Sequence, residues 1–358
     1  MSRVWDIPVQ DSTRVRDVRV AAEAACALGG LDAHATAVAA LVATELATNL
    51  VKHAGGGRVV INLVDPVSPA DDALCVQITS LDHGPGIADV AAALRDGATT
   101  ARSSLGAGLG TCLRVSHGFD LHSRPGRGTV AVARVGGERL PRGASSRSRP
   151  GSRRPGVRAG GVTVPLAHAE HSGDACTAVR SGSRITLMLA DGLGHGSKAA
   201  QASTAAVEAL RRSPDLLPAE ILRRLHTALR TTRGAAVGVA QLDEDTGRLS
   251  FAGVGNIGAR LRTADGWQHL VSHPGIVGAH FPATVPVRGA AWGPDRLLVL
   301  HSDGLPSRWA PPNDPELLTH DPAVVAAVIL RDAGSAARPE RDDACVAVLA
   351  PAPSDGSP

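Results

Sequence analysis

The sequence predicts an α/β protein of two domains. At 358 residues, the chain is long enough for two hydrophobic cores. In the front half, segments of helical and of alternating apolar periodicity predict an α/β sandwich, with helices packed on a mixed sheet. In the back half, a larger number of short apolar strands predicts a β-sandwich flanked by helices. Between the halves lies a stretch rich in Gly, Pro, Ser and Arg, which cannot bury a core.

The apolar pattern also assigns the individual elements. In the front half, helices are predicted near 12–28, 34–54, 88–96 and 108–118, and strands near 58–64, 74–80, 119–123 and 129–135. In the back half, strands are predicted near 175–180, 184–190, 235–241, 248–254, 257–263, 296–301 and 343–349, and helices near 196–212, 217–231 and 322–333. Because aromatic residues make up only 2% of the chain, both cores must consist mainly of Val, Leu, Ile and Ala.

The Gly/Pro/Ser/Arg-rich stretch sets the predicted boundaries. Residues 1–136 and 161–350 are predicted as domains, 137–160 as a flexible linker and 351–358 as a disordered tail. The arginines of the linker turn an otherwise slightly acidic chain into one of formal charge +3. A nucleic-acid-binding tail and a weak docking segment for acidic partners are the alternatives. The composition favours a solvated spacer, so nucleic acid is not an expected partner.

Cysteine usage and hydropathy bear on the cellular compartment. The five cysteines are scattered, odd in number and without CxxC spacing. They predict small buried thiols in a reducing compartment rather than disulfides or zinc ligands. The N-terminus lacks a secretory pattern, and no apolar run is expected to approach the roughly 18 residues that cross a bilayer. The sequence therefore predicts a soluble, cytoplasmic protein without a membrane partner.

Four aspartates of the back half share one setting, because each lies beside a glycine or a second acid at the edge of an apolar run. They are Asp174, Asp191, Asp303 and Asp342. A carboxylate at a strand end beside glycine is exposed on a rigid support, and Mg²⁺ and Mn²⁺ favour such oxygen ligands. Two such ions can activate a water and clamp a phosphoryl group. Ordinary Asp-Gly turns are the alternative for any one aspartate, but four in this order favour a metal site.

The front half carries candidate residues of a different kind. Glu45 and Asn49 are four apart in a predicted helix that ends at glycines, so they share one face. A carboxylate beside an amide suits a general base and a metal ligand, and it equally suits a solvated helix face. Asp82 and two glycines follow an alternating strand, and a Gly-rich loop over 104–110 opens an amphipathic helix. Free N–H groups at such a helix start can cradle phosphates.

In this order, the front-half motifs resemble a known family. Residues of roughly 10–135 look like the ATP-binding fold of the GHKL group, in its anti-sigma regulatory serine/threonine kinase branch, and most closely like the RsbT-type switch kinases. ELATNLVKHA resembles the N box of that family, LDHGPGI its first glycine box and GAGLG its second. The resemblance implies that Glu45 orients or activates the attacking group, that Asn49 holds Mg²⁺ on the phosphates of ATP, and that Asp82 accepts from the adenine amino group. The other implied ATP-binding residues are Gly84 and Gly86 in the adenine pocket, Gly106, Gly108 and Gly110 over the phosphates, and Thr129 near the adenine.

The back half resembles a second family. Residues of roughly 161–350 are similar to the metal-dependent (PPM-type) phosphatases of the SpoIIE class, and most closely to the RsbX-type proteins. The segments SGDAC, ADGLGHG, FAGVGNIGARL, HPGIVG, HSDGL and DDACVAVL carry that match. The resemblance implies the following ligands for Mg²⁺ or Mn²⁺: Asp191 bridging both ions with the Gly192 carbonyl beside it, Asp303 and Asp342 completing one ion, and Asp174 holding the other, directly or through water.

Two assignments in the back half stay open at the level of the sequence. Asp343 adjoins Asp342, and the two could exchange roles. His195 lies four residues after Asp191, whereas eukaryotic relatives place a histidine two residues after the corresponding aspartate. His195 is therefore either a general acid or an ordinary loop histidine.

Together the two resemblances imply a GHKL-type α/β sandwich followed by a PPM-type α-β-β-α sandwich. They imply a bifunctional regulator of a partner-switching pathway in sigma-factor or stress signalling. The first domain would phosphorylate Ser or Thr on a STAS-type anti-sigma antagonist, and the second would hydrolyse phosphoserine or phosphothreonine in the same circuit.

Two alternatives for this function remain. In one, the first domain is an ATP-binding anti-sigma factor that sequesters a sigma factor, and the phosphatase resets it. In the other, the first domain only senses ATP and regulates the phosphatase. A sigma factor or a downstream phosphatase is thus a further candidate partner, besides the STAS protein.

Overall fold

The computed structural model of the chain describes residues 3–67, 74–95, 108–136, 156–306, 308–334 and 342–352. The chain forms two compact units. The N-terminal unit comprises 4–65 and 73–140, and the C-terminal unit comprises 141–358 together with 1–3 and 66–72. Most of the predicted linker (137–155) and of the predicted tail (353–358) lies outside the described residues.

The N-terminal unit is a five-stranded sheet with helices packed on it. Its strands are β1 Val4–Val9, β2 Gly57–Val64, β3 Cys75–Leu81, β4 Gly118–Arg124 and β5 Gly128–Val135, and its helices are α1 Arg14–Leu28, α2 Ala33–Asn49, α3 Val90–Leu94 and α4 Gly108–Val115. The strand order is β1-β2-β3-β5-β4. This confirms the predicted α/β sandwich, whose core is built from small and branched aliphatic side chains.

Two details of this sheet differ from the prediction. Every neighbouring pair of its described strands is antiparallel, so the prediction of a mixed sheet is wrong. Apolar periodicity marks a strand but not its direction, which the connections decide; β4 and β5, for example, are joined by the short turn 125–127. Strand β1 was not predicted, because Asp6 and Pro8 interrupt its apolar run. It lies at the sheet edge, where proline is tolerated.

Helix α2 is followed directly by one π-helical turn, Leu50–Ala54, and the chain leaves this turn at Gly55 with a φ of 72°. The predicted helix ended by glycines is therefore present. Helix and turn form a 22-residue stretch that could cross a membrane by length and composition, so the expectation that no apolar run reaches such a length is wrong. Side chains such as Val42 and Leu46 lie in the core of the N-terminal unit, as in the core helix of a soluble domain.

The C-terminal unit consists of two five-stranded sheets and three longer helices, as far as its described residues show. Its strands are β6 Arg158–Val164, β7 Asp174–Ser181, β8 Arg184–Gly192, β9 Ala235–Asp243, β10 Arg248–Val254, β11 Gly258–Thr263, β12 Gly266–Leu270, β13 Arg288–Ala291, β14 Leu298–His301 and β15 Ala344–Ala350, and its helices are α5 Ser197–Arg211, α6 Pro218–Ala228 and α7 Pro322–Ala333. The sheet orders are β13-β10-β9-β8-β7 and β12-β11-β14-β15-β6.

The layers of this unit confirm the predicted α-β-β-α sandwich. One apolar cluster, which includes Phe251, Leu187 and Leu300, fills the space between the two sheets. Helices α5 and α6 cover the outer face of the first sheet, and α7 packs on β6 and β15 of the second. The loops at the ends of β7, β8, β14 and β15 carry the candidate site.

Strand β6 begins at Arg158, so three residues that the sequence assigned to the linker belong to a sheet. Its sequence, RAGGVTV, shows no apolar alternation, because two glycines occupy its centre. These glycines allow close packing: a Cβ on Gly160 would lie 2.8 Å from the Ala323 nitrogen, and one on Gly161 would lie 2.6 Å from the Cys176 Sγ. Pairing with β15, rather than local pattern, makes this segment a strand.

Candidate functional site

The first two predicted metal ligands face each other on neighbouring strands of the C-terminal unit. Asp174 begins β7 and Asp191 lies near the end of β8, and the two are direct partners in the antiparallel register. The Gly192 N–H donates to the Gly173 carbonyl at 3.0 Å and holds these ends together. Asp174 is buried, with 1% of its surface exposed, and Asp191 is partly buried. The fold thus brings two carboxylates together at one sheet end.

The other two predicted ligands lie at the end of the facing sheet. Asp303 follows β14 and Asp342 precedes β15, which pairs with β14 in the antiparallel sense. Two hydrogen bonds between Ser302 and Cys345 join the loop to the strand: the Ser302 N–H donates to the Cys345 carbonyl at 3.1 Å, and the Cys345 N–H donates to the Ser302 Oγ at 2.9 Å. The Asn256 amide donates to Asp303 at 2.7 Å and orients its carboxylate.

Electrostatics show that these carboxylates act on one another. Burial, and after it the charges of Asp303 and Asp342, raises the pKa of Asp191 to about 7. Burial, and after it the charge of Asp191, raises the pKa of Asp174. Burial and the charge of Asp342 raise the pKa of Asp303. Like charges have this effect only at short range, so four acids from four chain segments converge on one small region.

The structure separates the roles of Asp342 and Asp343. Both carboxylate oxygens of the buried Asp343 accept backbone hydrogen bonds, from Leu166 N–H and Gly173 N–H, each at 2.8 Å. Asp343 therefore ties the chain just before β7 to the start of β15. The exposed Asp342 accepts only from the Asp343 N–H among the hydrogen bonds found, at 2.9 Å. Sequence reasoning missed this structural role of Asp343, since it depends on contacts between distant segments.

The donor set suits a hard divalent cation. The Asp174 Oδ2 is buried without a hydrogen-bond partner in the described structure, and a buried carboxylate oxygen needs a compensating charge or donor. Oxygen ligands of this kind are those that Mg²⁺ and Mn²⁺ prefer. No three of the described His, Cys, Asp and Glu side chains already stand in ion-binding geometry. The carboxylates thus lie near one another without a preassembled coordination shell.

The two remaining predicted residues of this unit are Gly192, at the end of β8, and His195, in the loop that follows. A Cβ on Gly192 would lie 2.1 Å from the Ala199 carbonyl oxygen, so only glycine fits there. Gly194 and Gly196 have φ values of 85° and 75° and turn the chain into α5. His195 lies exposed between them, and no hydrogen bond or ion pair found in the described residues joins it to the aspartates. The fold therefore gathers the four aspartates and leaves His195 at the loop tip.

In the N-terminal unit, Glu45 and Asn49 lie together on α2 beside the start of α4. A Cβ on Gly108 would lie 3.0 Å from the Glu45 Oε2 and 3.6 Å from the Asn49 Oδ1. The Asn49 Nδ2 is buried without a hydrogen-bond partner among the described residues. Gly110 is buried in the first turn of α4. Gly106 lies outside the described residues. Gly108 of the second glycine box thus lies against the two polar residues of the first motif.

Asp82 is held by its own loop and by β5. Its Oδ1 accepts from Gly84 N–H at 2.8 Å and from Thr129 N–H at 3.0 Å, and the Asp82 N–H donates to the Thr129 carbonyl at 3.0 Å. The Thr129 Oγ1 lies 2.8 Å from the Ser123 Oγ, which in turn accepts from Ile87 N–H. The sequence-predicted residues Asp82, Gly84 and Thr129 therefore form one hydrogen-bonded group.

Glycines shape this group through close approach. Gly86 has a φ of 74°, and a Cβ there would lie 2.1 Å from the Arg124 carbonyl oxygen. A Cβ on Gly84 would lie 2.6 Å from the Cα of Ala54, so the Asp82 loop packs on the end of the π-helical turn. Gly128 was not predicted, although its φ of 83° and a Cβ distance of 2.1 Å to the Asp82 carbonyl oxygen require glycine. The turn sequence PGRGT was the available signal.

Two family models match the chain, one in each half. Residues 9–134 match the family model described as histidine kinase-like ATPase domain, and residues 181–351 match that of stage II sporulation protein E (SpoIIE). No curated protein is similar enough in sequence to count as a match.

Several solved structures are similar to parts of the chain. One belongs to the bacterial stressosome, described as a modular system adapted to control secondary messenger signaling; it is 28% identical, with a TM-score of 0.48, and the match covers 54% of this chain and 98% of that chain. The phosphatase domain and regulatory fragment of SpoIIE from Bacillus subtilis is 15% identical, with a TM-score of 0.48, covering 78% and 79%. The RsbU and RsbW domains of Rv1364c from Mycobacterium tuberculosis are 21% identical, with a TM-score of 0.45, covering 57% and 62%. The chain thus carries a segment that matches a histidine kinase-like ATPase domain, followed by a segment that matches SpoIIE.

Proposed function

We propose that the chain is a bifunctional partner-switching regulator, whose C-terminal unit hydrolyses phosphoserine or phosphothreonine on a STAS-type anti-sigma antagonist. The observation that carries this proposal is the convergence of Asp174, Asp191, Asp303 and Asp342, with a buried Asp174 oxygen that lacks a partner among the described residues. Such a concentration of negative charge costs free energy unless cations compensate it.

In this proposal Asp191 and the Gly192 carbonyl would hold both of two Mg²⁺ or Mn²⁺ ions. Asp303 and Asp342 would be further ligands of one ion, and Asp174 of the other. Bound ions of this kind supply a Lewis acid and a water of lowered pKa. Asn256 orients Asp303 through its 2.7 Å hydrogen bond. Asp343 is not a ligand in this scheme, because both of its oxygens already accept backbone hydrogen bonds.

His195 keeps its proposed role as general acid toward the leaving serine or threonine oxygen. Its exposed place in the loop after β8 leaves it accessible to a protein substrate. In the variant His195→Ala, we expect a loss of rate confined to substrates with poor leaving groups, since good leaving groups need no proton. An unchanged rate with a phosphopeptide would make it an ordinary loop histidine.

For the N-terminal unit we propose binding of ATP with Mg²⁺. Glu45 orients or activates the attacking hydroxyl, Asn49 holds the ion, and Asp82 accepts from the adenine amino group. Gly84, Gly86 and Thr129 shape the adenine end of the site, and Gly106, Gly108 and Gly110 cover the phosphates. Support comes from the Asn49 Nδ2 near Gly108, which is buried without a hydrogen-bond partner in the described part of the chain, and from the hydrogen-bonded Asp82 group. Three functions remain possible outcomes for this unit: phosphate transfer to a STAS protein, sequestration of a sigma factor, or ATP sensing alone. We also propose that the protein is cytoplasmic.

The test uses the purified full chain, a phosphorylated STAS protein and p-nitrophenyl phosphate. We expect phosphate release with Mn²⁺ or Mg²⁺ and a loss of activity with a chelator, because in the proposed mechanism the bound ions lower the pKa of the attacking water. Two assays distinguish the three outcomes for the N-terminal unit. One measures transfer of phosphate from labelled ATP to the unphosphorylated STAS protein, and the other measures binding of the chain to a sigma factor. Phosphatase activity that is indifferent to the chelator would contradict the metal assignment.

A further inference from the structure

Arg233 is a cation at the rim of the aspartate cluster to which the proposed mechanism gives no role. It lies one residue before Gly234 and two before β9, the strand that pairs with β8. In that pairing Asp191 is the partner of Ala236 and Gly192 the partner of Ala235. The pairing continues for one further hydrogen bond, from Leu193 N–H to the Gly234 carbonyl at 3.0 Å. Arg233 is therefore placed beside the loop that leaves Asp191.

The backbone that carries Arg233 is held on both sides. The Gly234 N–H donates to the Thr232 Oγ1 at 3.0 Å, and this hydroxyl donates to the Leu229 carbonyl at 2.7 Å. Gly234 has a φ of 82°, and a Cβ there would lie 2.7 Å from the Val277 carbonyl oxygen, so the turn closes tightly on its neighbour. The backbone position from which the Arg233 side chain extends is thus held in place by the neighbouring turn.

The guanidinium reaches over the loop after Asp191. Its Nη1 lies 3.0 Å from the place that a Cβ on Gly194 would take, so it rests against the Gly194 backbone. Arg233 is exposed and has neither an ion pair nor a hydrogen bond within the described part of the chain. Arg180, by contrast, pairs with Glu244 in the same unit. The described structure therefore leaves this guanidinium available beside the loop that follows Asp191.

We propose that Arg233 binds the phosphoryl group of the phosphoprotein substrate; this inference rests on the proposed phosphatase function. A phosphate dianion that approaches this site meets four aspartates whose negative charge two bound divalent cations only just offset, so their summed charge offers the dianion no net attraction. A guanidinium presents a fork of N–H donors that matches two phosphate oxygens. Arg233 is placed to supply this fork from the rim, opposite the buried end of the cluster.

The experiment compares the full-length Mg²⁺-loaded variants Arg233→Met and Arg233→Lys with wild type and with Arg230→Met. Arg230 is also exposed and lies three residues earlier, at the end of the same turn region, so it controls for surface charge. We expect Arg233→Met to raise KM for p-nitrophenyl phosphate and the calorimetric Kd for inorganic phosphate by roughly tenfold or more. The KM and Kd of Arg233→Lys should lie between those of wild type and Arg233→Met, because lysine keeps the positive charge but lacks the paired N–H donors of the guanidinium. The affinity for Mg²⁺, the melting temperature and the Arg230→Met values should stay near wild type.

Three different results would overturn the inference. If wild type hydrolyses the substrate with Mg²⁺ while Arg233→Met keeps its KM and its phosphate Kd within about twofold, the role of Arg233 is wrong and the phosphatase function stands. If Arg230→Met weakens phosphate binding as much as Arg233→Met, the effect is general surface charge and the assignment also fails. A wild-type protein without metal-dependent hydrolysis would refute the proposed function, and the role of Arg233 with it.

Discussion

Asp82 in the N-terminal unit and Asp174 in the C-terminal unit are both buried aspartates at a strand end, yet their surroundings differ. Asp82 accepts from the backbone N–H groups of Gly84 and Thr129, so its own chain compensates for burial. Asp174 faces Asp191 across the strand pair, and one of its oxygens has no partner among the described residues. The backbone thus compensates the burial of Asp82, whereas at Asp174 a buried oxygen is left that the proposed cation would compensate. At Asp82, the contacts that stabilise the fold also shape the proposed site. At Asp174, the arrangement proposed for function costs folding free energy in the absence of metal.

The largest expected effect is on catalysis. Asp191→Asn should reduce the metal-dependent rate by several orders of magnitude, because a bridging ligand positions both ions and the attacking water together. Asp303→Asn and Asp342→Asn should cost less, and added metal should partly restore them. Asp343→Asn should act on stability more than on metal affinity, since its oxygens bind backbone N–H groups.

The measurement is phosphate release from p-nitrophenyl phosphate over a series of Mn²⁺ concentrations. Asp265→Asn, an exposed residue in the turn between β11 and β12, is the control and should behave as wild type. If Asp191→Asn keeps full activity, Asp191 is not the bridging ligand.

The second expected effect is on stability: the substitution Asp191→Asn, which lowers activity, should raise the free energy of unfolding in the absence of metal. The pKa of Asp191 is raised to about 7, above its ordinary value of 3.8. Between these pH values the folded protein binds more protons than the unfolded one, so the free energy of unfolding falls as pH rises from about 4 to about 7. Without metal, Asp191→Asn should therefore be more stable than wild type at pH 8, by on the order of 4 kcal/mol at most. At pH 4 the two should differ little.

Chemical denaturation at pH 4 and pH 8, each with chelator and with Mn²⁺, measures this effect. Metal should stabilise wild type at pH 8, and this gain should shrink as protons compete for the carboxylates at lower pH. The Asn variant should show little stabilisation by metal. Equal stability of both proteins at pH 8 in chelator would mean that the aspartates do not repel one another in the folded state.

The smallest expected effect concerns the N-terminal unit. Asp82→Asn keeps an oxygen that accepts from the two backbone N–H groups, so the fold should survive. It removes the charge that the proposal assigns to the adenine amino group, and ATP affinity should fall by about 1–3 kcal/mol. Calorimetry of the full chain with ATP and Mg²⁺ measures this, with the exposed Asp17→Asn on α1 as control. Unchanged affinity in Asp82→Asn would remove Asp82 from the proposed site.

Local sequence pattern predicted most elements of both units, and long-range contacts account for the differences. The helix carrying Glu45 and Asn49 and the strands ending at Asp191 and Asp303 follow from periodicity and flanking glycines, which act over a few residues. Strand β6 is invisible to such reasoning, since its central glycines are set by the approach of α7 and β7. The roles of the site residues stay predictions until the variants above are measured.

The sequence by itself determined the two-domain α/β class and the order of the motifs, and it singled out the four strand-end aspartates. These features rest on spacing, composition and turn chemistry, which are local. Only the tertiary structure decided that the first sheet is antiparallel, that Asp343 bonds to backbone while Asp342 is exposed, and that Arg233 lies against Gly194. Each of these depends on which distant segments pair, and the free energy of such pairing comes from burial over the whole unit rather than from any short stretch of residues.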